Sequence, residues 1–200
     1  MSDLFEEKSK EWDQNQMILA LSSNIGAAIV QSVELGAHMR VLDFGAGTGL
    51  IASHLAPHVD SIVAVDISEA MLEKLAAKPE LQGRVEPLCH DILADRLDEQ
   101  FDLIVSAMAM HHVENTDLLF STFAEHLKPG AKVALADLDQ EDGTFHPPNT
   151  EGVYHAGFDR DDLKSVMHRH GFEQIDFQTA HVVSKENGDF PVFLVTATKV

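Results

Sequence analysis

Cysteine is nearly missing from this chain of 200 residues: Cys89 is the only one. A lone thiol excludes an internal disulfide, and a four-ligand zinc site would have to be assembled from histidines and carboxylates. Basic residues are also scarce, 14 Lys+Arg against 33 Asp+Glu, for a formal charge of −19 with histidines neutral. Nucleic acid and anionic lipid are held mostly by Lys and Arg, so neither is an expected partner. No stretch reaches the roughly 18 apolar residues of a membrane span. Residues 1–10 carry Asp3, Glu6 and Glu7 and lack the apolar core of a secretion signal. The expectation is a protein of the reducing cytoplasm.

What is present is the composition of a folded domain, 44% hydrophobic and 24% charged. At about 150 residues per domain, one domain over residues 1–200 is expected. In residues 14–35 the apolar positions Ile18, Leu21, Ile25, Ala28, Ile29 and Val33 recur at three- and four-residue spacing, the stripe of a buried helix face. Residues 40–44 read as a strand running into the glycine cluster 45–49, and a helix follows until Pro57. The unit repeats with a strand at 61–66, Ser68 as N-cap, and a helix over 70–78 closed by Pro79. Residues 84–89 and 101–106 read as strands, 116–127 as a helix ended by Lys128-Pro129-Gly130, and 131–138 as a fifth strand. Alternating short strands and helices predict a parallel sheet covered on both faces, with right-handed crossovers. Asp159 can cap a helix through His170 with Gly171 beyond its end, and 173–183 with 190–198 form a hairpin that closes one sheet edge.

In such a sheet, ligands sit beyond the carboxyl ends of the strands, where the glycine turn lies. Its glycines admit close backbone approach, and the following helix N-terminus favours an anion. A dinucleotide fingerprint needs glycine at relative positions 1, 3 and 6, but here the sixth residue is Leu50. Asp43, two residues before the turn, would repel a pyrophosphate and welcome a cation. Asp66, 21 residues after Gly45, can accept both hydroxyls of a ribose.

Val41-Leu42-Asp43-Phe44-Gly45-Ala46-Gly47-Thr48-Gly49 resembles motif I of the class I S-adenosylmethionine-dependent methyltransferases. Val63-Ala64-Val65-Asp66-Ile67-Ser68, His90-Asp91-Ile92 and Phe101-Asp102-Leu103-Ile104-Val105-Ser106 resemble the segments that follow in that family. Leu127-Lys128-Pro129-Gly130 also fits, with Ala131 in place of the usual second glycine. The resemblance implies an α/β, Rossmann-like seven-stranded sheet of order 3-2-1-4-5-7-6, its last strand antiparallel, helices on both faces, and a helical lid over about residues 1–36. It implies S-adenosylmethionine as cofactor and S-adenosylhomocysteine as product. Asp43, Gly45, Ala46, Gly47 and Gly49 would surround the methionine part and Asp66 the ribose. Ile67 and Met71 would pack near adenine, Asp91 with Ile92 would meet its edge, and Ala107 would offer a carbonyl to the amino group.

Methyl transfer from a sulfonium is an in-line displacement, in which alignment and exclusion of water dominate. A hydroxyl or carbon acid also needs a base, and His111 and His112, just past the fourth strand, are the candidates. Either could instead pack on the cofactor or cap the next helix. Trp12, His146, Tyr154 and His155 are the candidate acceptor residues; the loop holding the last three could equally be a solvated connection, and Trp12 a simple anchor. His111, His112, His146, His155, Asp137 and Asp139 could converge on an ion, but no compact ligand motif appears, so no metal is assigned. Cys89 reads as a small buried hydrophobe. The acceptor is expected to be a small molecule. The rival readings are a binder that has lost transfer and a nicotinamide oxidoreductase, the latter opposed by Leu50 and Asp43.

Overall fold

The computed structural model describes residue 3 and residues 5–200; Met1, Ser2 and Leu4, part of the expected lid, lie outside the described residues. Seven strands are laid down, β1 (Arg40–Phe44), β2 (Ser61–Asp66), β3 (Val85–Cys89), β4 (Phe101–Ala107), β5 (Leu127–Leu138), β6 (Phe172–Lys185) and β7 (Gly188–Lys199). They form one sheet of order β3-β2-β1-β4-β5-β7-β6. The first five are parallel, and β7 lies antiparallel between β5 and β6. This is the expected order.

The sheet is covered on both faces because its strands are apolar on both. Val41, Ile62, Ala64, Leu103 and Val105 face one cluster, with side chains of the helices α2 (Gln16–Ser32), α3 (Leu50–Leu55) and α4 (Glu69–Ala76). Their sequence neighbours Leu42, Val63, Val65 and Ile104 face the other, against α5 (Thr116–Glu125) and α6 (Arg160–Arg169). Helix starts carry local caps: Ser68 accepts from Met71 N–H, Asn115 from Leu118 N–H, and Asp159 from Asp161 and Asp162 N–H. Each such cap stabilises its helix by about 1 kcal/mol. Ahead of α2 lie α1 (Glu6–Ser9) and a 3-10 turn, Trp12–Gln14.

Three expectations need correction. The fifth strand begins at Leu127, not residue 131: Leu127 pairs with Phe101, and the register shifts before Leu103 meets Lys132, so Lys128-Pro129-Gly130 form an irregularity within the strand. The β6–β7 turn is tighter than expected, since Lys185 already pairs with Gly188. Cys89 is exposed, because β3 is the sheet's edge strand and pairs only with β2. Pro87 sits in the same strand, and an edge tolerates its missing N–H. Among the described residues, no helix is long and apolar enough to cross a membrane.

Candidate active site

The carboxyl ends of β1, β2 and β4 and the turn after β3 open onto one cleft of about 630 Å³, at the reversal of strand order around β1. Gly45 and Ala46 N–H both donate to Val65 O, at 2.9 and 3.1 Å, pinning the glycine turn to the end of β2. Gly47 has φ +55°, and a Cβ built there meets nothing within 4 Å, so the backbone itself forms the wall of the cleft. Gly49 has a different task. Its Cβ would strike Leu75 at 2.7 Å, so its side faces the core under α4 and it does not line the cleft.

Two carboxylates meet behind the turn. Asp66 Oδ2 accepts from Gly47 N–H and Oδ1 from Ser68 N–H, each at 2.8 Å. One bond per oxygen leaves acceptor capacity free on both. Burial raises the Asp66 pKa, against the lowering effect of those N–H groups. Asp43 is more extreme: its side chain is buried, and Oδ2 has no hydrogen-bond partner among the described residues. Burial first, and then the negative charge of Asp66, push its pKa up to about 7. α3 has six residues, so its dipole offers an anion little, and Asp43 makes this end of the cleft a seat for positive charge.

Along the rest of that wall, Ile67 is 67% exposed, an apolar side chain with no protein cover. Met71 and Ala107 line the cleft, as does Asp91, whose Oδ1 accepts from Leu93 N–H at 2.9 Å. Ile92 points the other way, fully buried beside Val63 and Val65. Met108 also lines the cleft and was not anticipated. Its φ is +57°, a left-handed conformation that strains a bulky residue, and its N–H is tied to Ala136 O at 2.9 Å. Nothing in the sequence signals this.

At the opposite end the histidines converge. His111 is buried, and its Nδ1 lies 2.8 Å from Asp137 Oδ1. Asp137 also accepts from His111 N–H at 3.2 Å and Leu138 N–H at 2.8 Å. His111 Nε2 is 3.2 Å from Nε2 of His146. The neighbouring His112 donates from Nδ1 to Gly152 O at 2.6 Å, a carbonyl that can only accept. Its pKa falls to about 4, through burial first and then the proximity of His111. The His146 pKa also falls to about 4, through burial first and then the proximity of His111 and His112, with Lys185 and Lys8 adding to them. Asp137, which the sequence placed near His111 only as one of six residues that could converge on an ion, is its direct hydrogen-bond partner.

Tyr154 lines the cleft at 55% exposure, and Trp12 lines it edge-on to Phe5. His155 does not line it: its Nε2 is held 2.9 Å from Val113 O, fastening the 139–158 segment to the loop after β4. The segment before α2 is latched across the cleft. Asp3 accepts from Ser68 Oγ at 2.8 Å, and Asp13 accepts from Thr48 Oγ1 at 2.5 Å and pairs with Lys78 at 2.8 Å. Among the described residues, no group of three or more His, Cys, Asp or Glu is arranged to hold a metal ion.

The chain is 28% identical over 192 residues to an uncharacterized methyltransferase of Schizosaccharomyces pombe, covering 88% of this chain and 65% of that one. It spans 52% of an uncharacterized methyltransferase of Bacillus subtilis, so these curated relatives are longer than it is. Its fold matches the N-methyltransferase NodS of Bradyrhizobium japonicum, solved with S-adenosylhomocysteine, at a TM-score of 0.73 and 14% identity over 99% of both chains. It also matches a phosphoethanolamine N-methyltransferase of Haemonchus contortus at a TM-score of 0.72 and 19% identity, over 88% of this chain and 52% of that one. A family model described as a methyltransferase domain matches residues 16–176. With that match over most of its length and the 3-2-1-4-5-7-6 sheet, the chain belongs to the class I S-adenosylmethionine-dependent methyltransferases.

Proposed function

We propose that the protein transfers a methyl group from S-adenosylmethionine to a small-molecule acceptor, as a single domain in which the segment ahead of α2 closes over the cleft. The observation that carries this reading is Asp43, whose buried Oδ2 lacks a partner beside a glycine wall. A ligand bearing an ammonium group and a sulfonium supplies the missing positive charge, whereas a pyrophosphate would be repelled. The free lone pairs of Asp66 suit a ribose diol, and exposed Ile67 with Met71 suits the face of a purine. When bound, S-adenosylmethionine supplies a methyl carbon on positively charged sulfur. The protein's own contribution is alignment: the glycine turn and Asp66 hold one partner, while the histidine end of the cleft holds the other.

The scarcity of Lys and Arg supports a small acceptor over a nucleic acid, and the unpaired thiol suits a reducing cytoplasm. Thermal unfolding with S-adenosylmethionine, S-adenosylhomocysteine and NAD tests the reading. A ligand at about 100 times its dissociation constant adds roughly 2.7 kcal/mol, enough for a clear rise in Tm. The expected result is a rise with the two sulfur compounds and none with NAD. A rise with NAD alone would overturn the assignment.

A further inference from the structure

We propose that Asp137, His111 and His146 form a proton relay, and that the methyl acceptor is therefore an aromatic hydroxyl whose proton the relay removes. This rests on the methyltransferase reading and deepens it by naming the acceptor class. Asp137 accepts three hydrogen bonds, two from backbone N–H groups, so the proton between it and His111 sits on His111 Nδ1. In the resting state of the relay His111 is neutral, its Nε2 carries a lone pair, and His146 donates to it from its own Nε2 across the 3.2 Å contact. A neutral imidazole protonated at Nε2 is bare at Nδ1, and among the described residues that nitrogen of His146 has no hydrogen-bond partner. Both imidazoles line the cleft, His146 half-buried and His111 almost fully buried, so His146 is the more open of the two.

The step balances. The acceptor hydroxyl gives its proton to His146 Nδ1, and the Nε2 proton of His146 passes to His111 Nε2. The acceptor oxygen forms its bond to the methyl carbon as the carbon–sulfur bond breaks, its electron pair remaining on sulfur. One positive charge disappears at sulfur and one comes to rest on the His111 imidazolium, against Asp137. His146 alone would be too weak a base, because burial first, and then the groups facing it, disfavour a charge there. These are His111 and His112 from the loop after β4, Lys185 from β6 and Lys8 from α1, with Glu141 acting on Lys185. His111 has the buried carboxylate that His146 lacks, so the charge settles one residue deeper.

The acceptor class follows from what surrounds the relay. A thiol ionises near neutrality unaided and needs no relay. A cationic amine would approach two ammonium groups: Lys8, and Lys185, whose Nζ sits 3.6 Å above the Phe145 ring with no carboxylate in ion-pair distance among the described residues. An oxygen gaining negative charge is favoured by the same pair. Aromatic edges flank the imidazoles, Phe145 at 4.9 Å from His146 and Phe5 at 5.5 Å from His112, and Tyr154 stands exposed at the mouth. A planar apolar body covers those surfaces.

The test uses 4-nitrophenol, whose phenol and phenolate forms absorb at different wavelengths, titrated into the full chain with and without S-adenosylhomocysteine. At about pH 6, where the free dye is mostly protonated, the bound dye is expected as phenolate. His146→Gln and His111→Gln should each lower the phenolate fraction about 10-fold while leaving S-adenosylhomocysteine affinity within about 2-fold, as measured by calorimetry. Asp137 is a positioning residue, and Asp137→Asn should reduce the phenolate band without moving that affinity. Should the buried variants fail to fold, His146→Gln, at a half-buried position, still decides the matter. Dye that binds only as phenol, fails to bind, or ionises unchanged in His146→Gln overturns the relay. Phenolate formation without S-adenosylhomocysteine binding would uphold the relay and overturn the cofactor reading instead.

Discussion

Asp66 ends β2 and Asp43 lies one residue short of the end of the adjacent β1, and burial first, then the charge of Asp66, hold the Asp43 carboxyl at a pKa of about 7. The folded form of Asp43 thus binds its proton more tightly than the unfolded chain does. Below about pH 4 both forms are protonated and nothing is lost. As pH rises from there to 7 the fold loses stability, and above 7 the full penalty, on the order of 2–4 kcal/mol, is present. Asp43→Asn is expected to raise the Tm of the ligand-free protein at pH 8, leave it unchanged near pH 4, and weaken S-adenosylmethionine binding. Paired melting curves and calorimetry check this; a lower Tm at pH 8 would contradict the buried charge.

In the proposed function Asp66 acts on the ligand and on the turn at once, because its oxygens already hold Gly47 and Ser68 N–H. Asp66→Ala removes a charge-assisted bond of about 1.5–3 kcal/mol to the ligand and frees the turn. The dissociation constant for S-adenosylmethionine should rise by roughly 10- to 150-fold. Asp66→Asn, which keeps the shape but adds donors, should fall between. Calorimetry on the three proteins orders them, and an unchanged constant for Asp66→Ala would remove this residue from the site.

His112 and His146 produce the opposite pH dependence to Asp43. Both have pKa values depressed to about 4, so between pH 6.5 and 4 the unfolded chain takes up protons that the folded chain refuses. Their contribution to stability is complete above pH 6.5 and is lost as pH falls toward 4. The protein should therefore lose Tm on acidification through this window, with Asp43 partly offsetting the loss. The double variant His112→Gln/His146→Gln should flatten the curve there, and an equally steep decline in the variant would show that other groups cause it.

Most of the scaffold was legible because it depends on local chemistry. The two-faced strands read as apolar runs, Ser68 and Asp159 act as the caps their types suggest, and Gly171 at φ +77° ends α6. What was not legible depends on tertiary pairing. Asp137 and His111 lie 26 residues apart, and only the alignment of β4 beside β5 brings them together. Ile92 and Gly49 belong to the expected motifs, yet one fills the core and the other makes room for Leu75. Cys89 is exposed because β3 is the edge strand of the 3-2-1-4-5-7-6 order, a place that the composition of the run itself does not reveal.

In the proposed lid, Asp13 is the fastening that a variant can test. Its carboxylate takes the buried Thr48 hydroxyl from the glycine turn and the Lys78 ammonium from the end of α4. Both contacts bridge the N-terminal segment to the cofactor side of the cleft, while Asp3 makes a second tie at Ser68 and Ala70. On the lid reading a ligand leaves as these ties open, so their strength belongs mainly to the dissociation rate. Asp13→Ala removes a buried hydroxyl–carboxylate bond and a half-covered ion pair, together about 1–2 kcal/mol. Release of S-adenosylhomocysteine should accelerate by roughly 5- to 30-fold with association changed far less. Trp12 is the sole tryptophan, adjoins Asp13 and lines the cleft, so stopped-flow fluorescence reads both rates directly. Equal slowing of association and release would show that Asp13 shapes the open cleft instead of fastening the closed one.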